Sequence, residues 1–80
     1  MKITVLLFGI IRDLIGENIL KLDLEKAISI GQFKQDLLKK YNDLQQYSNF
    51  SIAVNEEYVD LNYVLQANDV VALIPPVSGG

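Results

Sequence analysis

The sequence predicts an α+β fold, a mixed sheet with one main helix packed on one face. Three observations lead there. Short apolar runs with strand-like alternation recur along the chain, whereas only one long segment carries helical spacing. The last apolar run, Val70 to Ile74, is apolar on both faces, and such a strand is normally central in a sheet. A chain of 80 residues holds one domain, with enough helix to cover one sheet face.

Each element has its own justification. Lys2 to Phe8 reads as a strand, with Ile3, Val5 and Leu7 pointing one way and Lys2, Thr4, Leu6 and Phe8 the other. Ile10, Ile11, Leu14 and Ile15 then fit about one helical turn, stopped by Gly16. Ile19 to Leu24 alternates, with Leu20, Leu22 and Leu24 inward, and predicts a half-buried strand antiparallel to the first. Ser29-Ile30-Gly31-Gln32 has the form of a capping box, in which the Ser29 hydroxyl accepts from a free N–H and Gln32 reaches back. Ile30, Phe33, Leu37, Tyr41 and Leu44 follow at helical spacing, so a helix is expected from about Ile30 to Tyr41. Lys39 and Lys40 suit its C-terminal dipole, and Asp36 and Lys40 are spaced as an i, i+4 ion pair.

The second half is less regular. Asn42 to Asn49 is polar and reads as loop. Ser51 to Val54 predicts a strand, Asn55-Glu56-Glu57 a turn and Tyr58-Val59 a short return strand. Tyr63 to Gln66 has room for one helical turn, and Asn68-Asp69 is turn chemistry with Asn suited to a left-handed conformation. Pro75-Pro76 forbids further pairing after the last strand.

Composition excludes several functions. No cysteine means no thiolate nucleophile, disulfide or thiolate metal site, and no histidine removes the usual neutral-pH base and most transition-metal sites. No metal site is expected. A net charge of −3 argues against non-specific nucleic-acid binding. Met1-Lys2 and the apolar run to Ile11 have the length of a signal-peptide core but lack its cleavage site, so the run is read as a buried strand. No run reaches the ~20 residues of a membrane span, and a cytoplasmic location is expected. Charge is divided unevenly. All seven basic residues fall in residues 1–40, whereas Asp43, Glu56, Glu57, Asp60 and Asp69 leave residues 41–80 purely acidic and suited to a basic partner surface.

The most informative segment is Pro75-Pro76-Val77-Ser78-Gly79-Gly80. Proline fixes φ and pushes its predecessor to extended backbone, so the segment is expected to leave the sheet stiffly. Gly79-Gly80 adds bare, flexible backbone able to enter a narrow tunnel and present a terminal carboxylate to another protein. The expected division is therefore a domain over residues 1–74 and a tail over residues 75–80.

With that tail, the element order resembles the ubiquitin-like β-grasp, and more closely the small, sulfur-carrying subunit family of molybdopterin synthase, the MoaD family. The likeness is carried by Leu7-Phe8-Gly9, Arg12-Asp13-Leu14-Ile15-Gly16, Ser29 to Phe33, Ala53 to Val59 and, most strongly, Val70 to Gly80. Asn68-Asp69 departs from the family's Gly-Asp, and Leu73-Ile74 stand where aromatics are usual. The resemblance implies a carrier and co-substrate rather than an enzyme. Gly80 is adenylated by a MoeB-like adenylyltransferase using ATP and magnesium, so no cofactor is bound by this chain itself. A sulfur-donor protein then gives a thiocarboxylate, and a MoaE-like large subunit supplies the catalytic residues that pass its sulfur to cyclic pyranopterin monophosphate. Residues 75–79 thread the tunnel, and Leu6, Phe8, Arg12, Leu73 and Ile74 contact the partner. Two other classes stay open: a sulfur carrier for thiamine or tRNA thiolation, whose tails usually lack the Pro-Pro-Val-Ser stretch, and a ubiquitin-like protein modifier.

Overall fold

β1 (Lys2–Leu7) buries Ile3, Val5 and Leu7 on one face, and that face receives the helices. The computed structural model describes residues 1–76. β1 is followed by α1 (Gly9–Ile15), which buries Ile11 and ends at Gly16 with φ 85°, a left-handed cap suited to glycine. The helical segment runs to seven residues rather than the single turn expected. β2 (Ile19–Asp23) returns antiparallel to β1, with Leu6 opposite Ile19 and Thr4 opposite Lys21.

α2 (Ile30–Lys40) packs Ile30, Phe33 and Leu37 into the core. Three N–H groups of its first turn find partners. Ser29 Oγ accepts from Gln32 N at 3.2 Å, Ile30 N donates to the Tyr63 carbonyl at 2.8 Å, and Gly31 N donates to the Leu61 carbonyl at 3.0 Å. This corrects two expectations. Only the serine half of the capping box forms, because Gln32 Nε2 donates forward to Asp36 Oδ1 at 2.9 Å. Residues 63–66 are not a helical turn. They are extended, bridged between Val64 and Ser29, and the Tyr63 carbonyl serves the α2 N-terminus. Asp36 is taken by Gln32, and the Lys40 ammonium lies 5.5 Å from the Tyr41 ring centre, so the expected Asp36–Lys40 pair is absent.

Residues 42–47 form a 3₁₀ helix rather than a loop. Its one apolar interior residue, Leu44, is completely buried, and Leu44 N donates back to the Tyr41 carbonyl at 2.9 Å. β3 (Ser51–Val54) and β4 (Glu57–Tyr58) form a hairpin closed by Asn55 and Glu56, both with positive φ, 51° and 72°. That is a type I′ turn, one residue tighter than expected, with the return strand correspondingly earlier.

β5 (Val70–Ile74) lies at the centre of the strand order β2-β1-β5-β3-β4, parallel to β1 and antiparallel to β3. It holds the central place the sequence predicts, with neighbours on both edges; helices cover its Val71 and Leu73 face, whereas Val70, Ala72 and Ile74 face the side without helices. This is the ubiquitin-like β-grasp. No helix among the described residues is long and apolar enough to cross a membrane.

The buried 3₁₀ element generates a test. Leu44→Ala should cost about 2–5 kcal/mol of stability, as for a fully buried leucine. Urea unfolding measures it, and an unmoved midpoint would show that residues 42–47 do not contribute to the core.

Candidate docking face and tail exit

The helices leave the opposite face of the sheet bare. In register across it lie Ile19, Leu6, Ala72, Ala53 and Tyr58, one from each strand. Ala72 and Ala53 face each other across β5 and β3, and their small side chains form the floor of a concavity of about 580 Å³. Phe8, Tyr58, Val70 and Ile74 wall it, with Asn55 and Glu56 on its rim. Phe8 is 46% exposed and Tyr58 72%. Among the described residues, four of the seven exposed large apolar side chains, Phe8, Ile19, Tyr58 and Val70, belong to this face. A contiguous apolar surface of this kind on a small protein marks an interaction site.

The chain leaves the sheet beside that concavity. Ile74 lines it, and Pro75 follows directly. Gly9 has φ +54°, and a Cβ there would stand 3.0 Å from Pro75 Cγ. The glycine thus permits both the left-handed turn out of β1 and the close seating of the proline ring. Val77, Ser78, Gly79 and Gly80 lie outside the described residues.

One hydrogen-bonded centre fixes the hairpin rim. Asp69 is only 5% exposed. Its carboxylate accepts from Asn55 Nδ2 at 3.0 Å, from the Tyr63 hydroxyl at 3.1 Å and from Gln66 N at 2.8 Å. Asn55 Oδ1 in turn accepts from Val70 N at 3.0 Å. The turn that carries Glu56 is therefore tied to the start of β5 and to the 63–66 segment by one buried charge with its acceptor sites filled. Asn68, at φ 70°, makes the left-handed turn that points Asp69 inward.

The structure sorts the sequence-predicted site residues. Leu6, Phe8 and Ile74 line the concavity. Leu73 does not. It has no exposed area and faces the helical core, since β5 alternates and only Val70, Ala72 and Ile74 face the bare side. Arg12 is also elsewhere. It lies in a polar cleft with Asp13, Gly16, Glu17 and Asn18, its Nε 3.7 Å from Asp13 Oδ1. Of the five acids in residues 41–80, Asp69 is withdrawn from any docking role by burial, and Asp60 Oδ1 accepts from Asn62 N. Glu56 alone among them lines the concavity. Tyr58 and Ala53 were not singled out in the sequence. Their signal was the strand register, which puts Ala53 opposite Ala72 and Tyr58 opposite Ala53, level with Leu6.

Comparison with known proteins bears on this geometry. The ThiS family profile matches residues 5–80. The chain belongs to the ThiS family. It is 35% identical over 81 aligned positions to the molybdopterin synthase sulfur carrier subunit of Arabidopsis thaliana, covering 100% of this chain and 84% of that protein. Among solved structures, the complex of subunits 1 and 2 of the Helicobacter pylori molybdopterin-converting factor contains a chain 28% identical to it, with a TM-score of 0.71 and 100% of both chains covered. The small archaeal modifier protein 1 of Methanosarcina acetivorans is 25% identical, with a TM-score of 0.78, covering 99% of this chain and 96% of that one. The ThiS-family chain thus shares its fold with a sulfur-carrier subunit and with a protein modifier.

The Asp69 centre sets an alkaline limit to stability. Burial raises the Tyr63 hydroxyl above its ordinary value of 10.0, and the hydrogen bond to Asp69 and the Asp69 charge add to the rise. A pKa raised by folding stabilises the fold fully below the unfolded value, and that contribution is lost as pH climbs through the folded value. Stability should therefore fall above about pH 10, and Tyr63→Phe should flatten that fall. Unfolding midpoints at pH 8 and above measure this, and an alkaline slope unchanged by Tyr63→Phe contradicts it.

Proposed function

We propose that this chain is the sulfur-carrier subunit of a molybdopterin synthase, with Gly80 as its reactive end. The observation that supports this reading is the placement of Ile74 and Pro75. They launch the tail from the edge of an apolar concavity, so one partner can hold the bare sheet face and receive the tail together. The likeness to a carrier of that class, and to a chain of a two-subunit molybdopterin-converting factor, supports the synthase large subunit as the partner of this face.

A carboxylate is a poor acyl donor at neutral pH. An adenylyltransferase joins the Gly80 carboxylate to AMP from ATP with magnesium and releases pyrophosphate. A persulfide on a donor protein attacks the acyl carbon and AMP leaves; a second donor thiol then cleaves the resulting acyl disulfide, forming a disulfide on the donor and leaving the thiocarboxylate on Gly80. On the large subunit that sulfur passes to cyclic pyranopterin monophosphate. No side chain of this chain takes a proton in these steps, so its own contribution is positional. The sheet face docks, Pro75 and Pro76 hold the direction of exit, and Val77, Ser78 and Gly79 link them to the reactive Gly80. A small carrier of this kind works in the cytoplasm.

Two measurements test the reading. Deleting Gly80, or adding one residue after it, should abolish AMP transfer while leaving the unfolding curve unchanged; normal adenylation of either variant overturns it. Phe8→Ala should weaken large-subunit binding by about tenfold or more while changing stability by no more than roughly 1 kcal/mol, because the ring is half exposed. Capture of this chain as lysine conjugates instead of a large-subunit complex would favour the modifier class.

A further inference from the structure

We propose that the bare sheet face also closes on a second copy of this chain, in a two-fold dimer whose axis runs along β5. The inference rests on the proposed docking role of that face and adds a second occupant to it.

Register fixes the geometry. Across the bare face the strands run β2, β1, β5, β3, β4, with β5 in the middle. A two-fold axis lying in the interface along β5 places each strand of one copy over the strand equally far on the other side of β5. Val70, Ala72 and Ile74 then meet their own counterparts. β2 meets β4, so Ile19 meets Tyr58, because both stand level with Leu6, Ala72 and Ala53. One step along the strands, Lys21 stands level with Thr4 and Val70, and the Asn55-Glu56 turn stands beside Val70. The same operation therefore puts Lys21 of each copy against Glu56 of the other. The face is self-complementary as a two-fold interface requires: apolar over its centre, cationic at one corner and anionic at the corner that symmetry brings to it. Small residues at the centre, Ala72 and Ala53, let two faces approach in the aligned manner of stacked sheets.

The Glu56 backbone supports the same reading. It has φ 72°, a position that glycine fills with less strain, yet a charged side chain stands there on the rim of the concavity. A dimer closed through this face hides Phe8 and Tyr58, so dimer and large-subunit complex exclude each other.

Sedimentation equilibrium at low salt, from roughly 10 μM to 1 mM, tests the proposal in the absence of any partner. The wild type should show a monomer–dimer equilibrium that weakens with added salt. Lys21→Glu and Glu56→Lys should each weaken it about tenfold or more, and the double variant should recover most of the loss. Glu56→Gly should raise thermal stability while lowering self-association, a combination that a merely structural glutamate does not give. A monomer at every concentration, or a double variant no better than the singles, overturns the proposal. Addition of large subunit should dissolve the dimer, and a ternary species that retains it also overturns the shared face. A dimer that forms while the large subunit fails to bind leaves this inference standing and refutes the docking reading instead.

Discussion

A single layer of helix over a five-stranded sheet leaves β5 covered on one side only. On the helical side Val71 and Leu73 have no exposed area, in a core shared with Val5, Ile30 and Phe33. On the other side Val70, Ala72 and Ile74 have no layer above them. A chain of this length has no second helical layer to supply, and a central strand needs apolar residues on both faces only if something covers both. The uncovered half of β5 is thus the constraint from which the rest follows. It fixes where the apolar surface lies, and it puts the tail exit at that surface, since β5 is also the strand that runs into Pro75.

Holding such a strand in register requires anchors at both of its ends. At its start, Asp69 gathers Asn55, Tyr63 and Gln66, and the Thr4 N–H donates to the Asp69 carbonyl at 3.0 Å. At its finish, Pro75 sits against Gly9 at the mouth of α1. Between them the parallel pairing to β1 and the antiparallel pairing to β3 resist a slip, because moving β5 by one residue would turn Val71 and Leu73 out of the core. A buried carboxylate is costly unless its acceptor sites are filled, and here side-chain and backbone donors fill them from three segments. The same bonds make the Asn55-Glu56 turn a fixed rim rather than a mobile loop.

Much of this was legible in the residues. Alternation in Lys2 to Phe8 and in Ile19 to Leu24, helical spacing from Ile30 and the doubly apolar Val70 to Ile74 each report burial directly, and burial is what periodicity measures. The expectations that failed depended on partners far along the chain. Residues 42–47 read as loop because one leucine, Leu44, anchors an otherwise polar stretch. Residues 63–66 read as a helical turn because nothing local shows that the Tyr63 carbonyl is needed by the N–H group of Ile30. Asp69 read as one of five surface acids because its three donors come from Asn55, Tyr63 and Gln66. Leu73 was placed at the partner contact beside Ile74, but strand alternation sends adjacent residues to opposite faces. The docking face itself was half visible. Leu6 and Phe8 showed on it, while Ala53 and Tyr58 needed the register.

On the proposed reading the chain leaves the bond-making to its partners, and that shapes what its surface must do. On the proposed reading it meets an activating enzyme, a sulfur donor and a large subunit in turn, each time presenting the same tail beside the same face. Those encounters are sequential only if each complex dissociates. The affinity of the face is therefore bounded from above by the slowest permissible release, and affinity differences among related complexes reside mostly in that rate. A shallow floor of alanines ringed by a few half-exposed side chains fits such a bound better than a deep pocket of interlocking aromatics. It also gives a use to Glu56, the acidic residue on the rim. Charges at the rim speed encounter with a basic partner without adding much to the lifetime of the complex. Recognition by a weak apolar floor and a charged rim lets one 80-residue chain pass between partners.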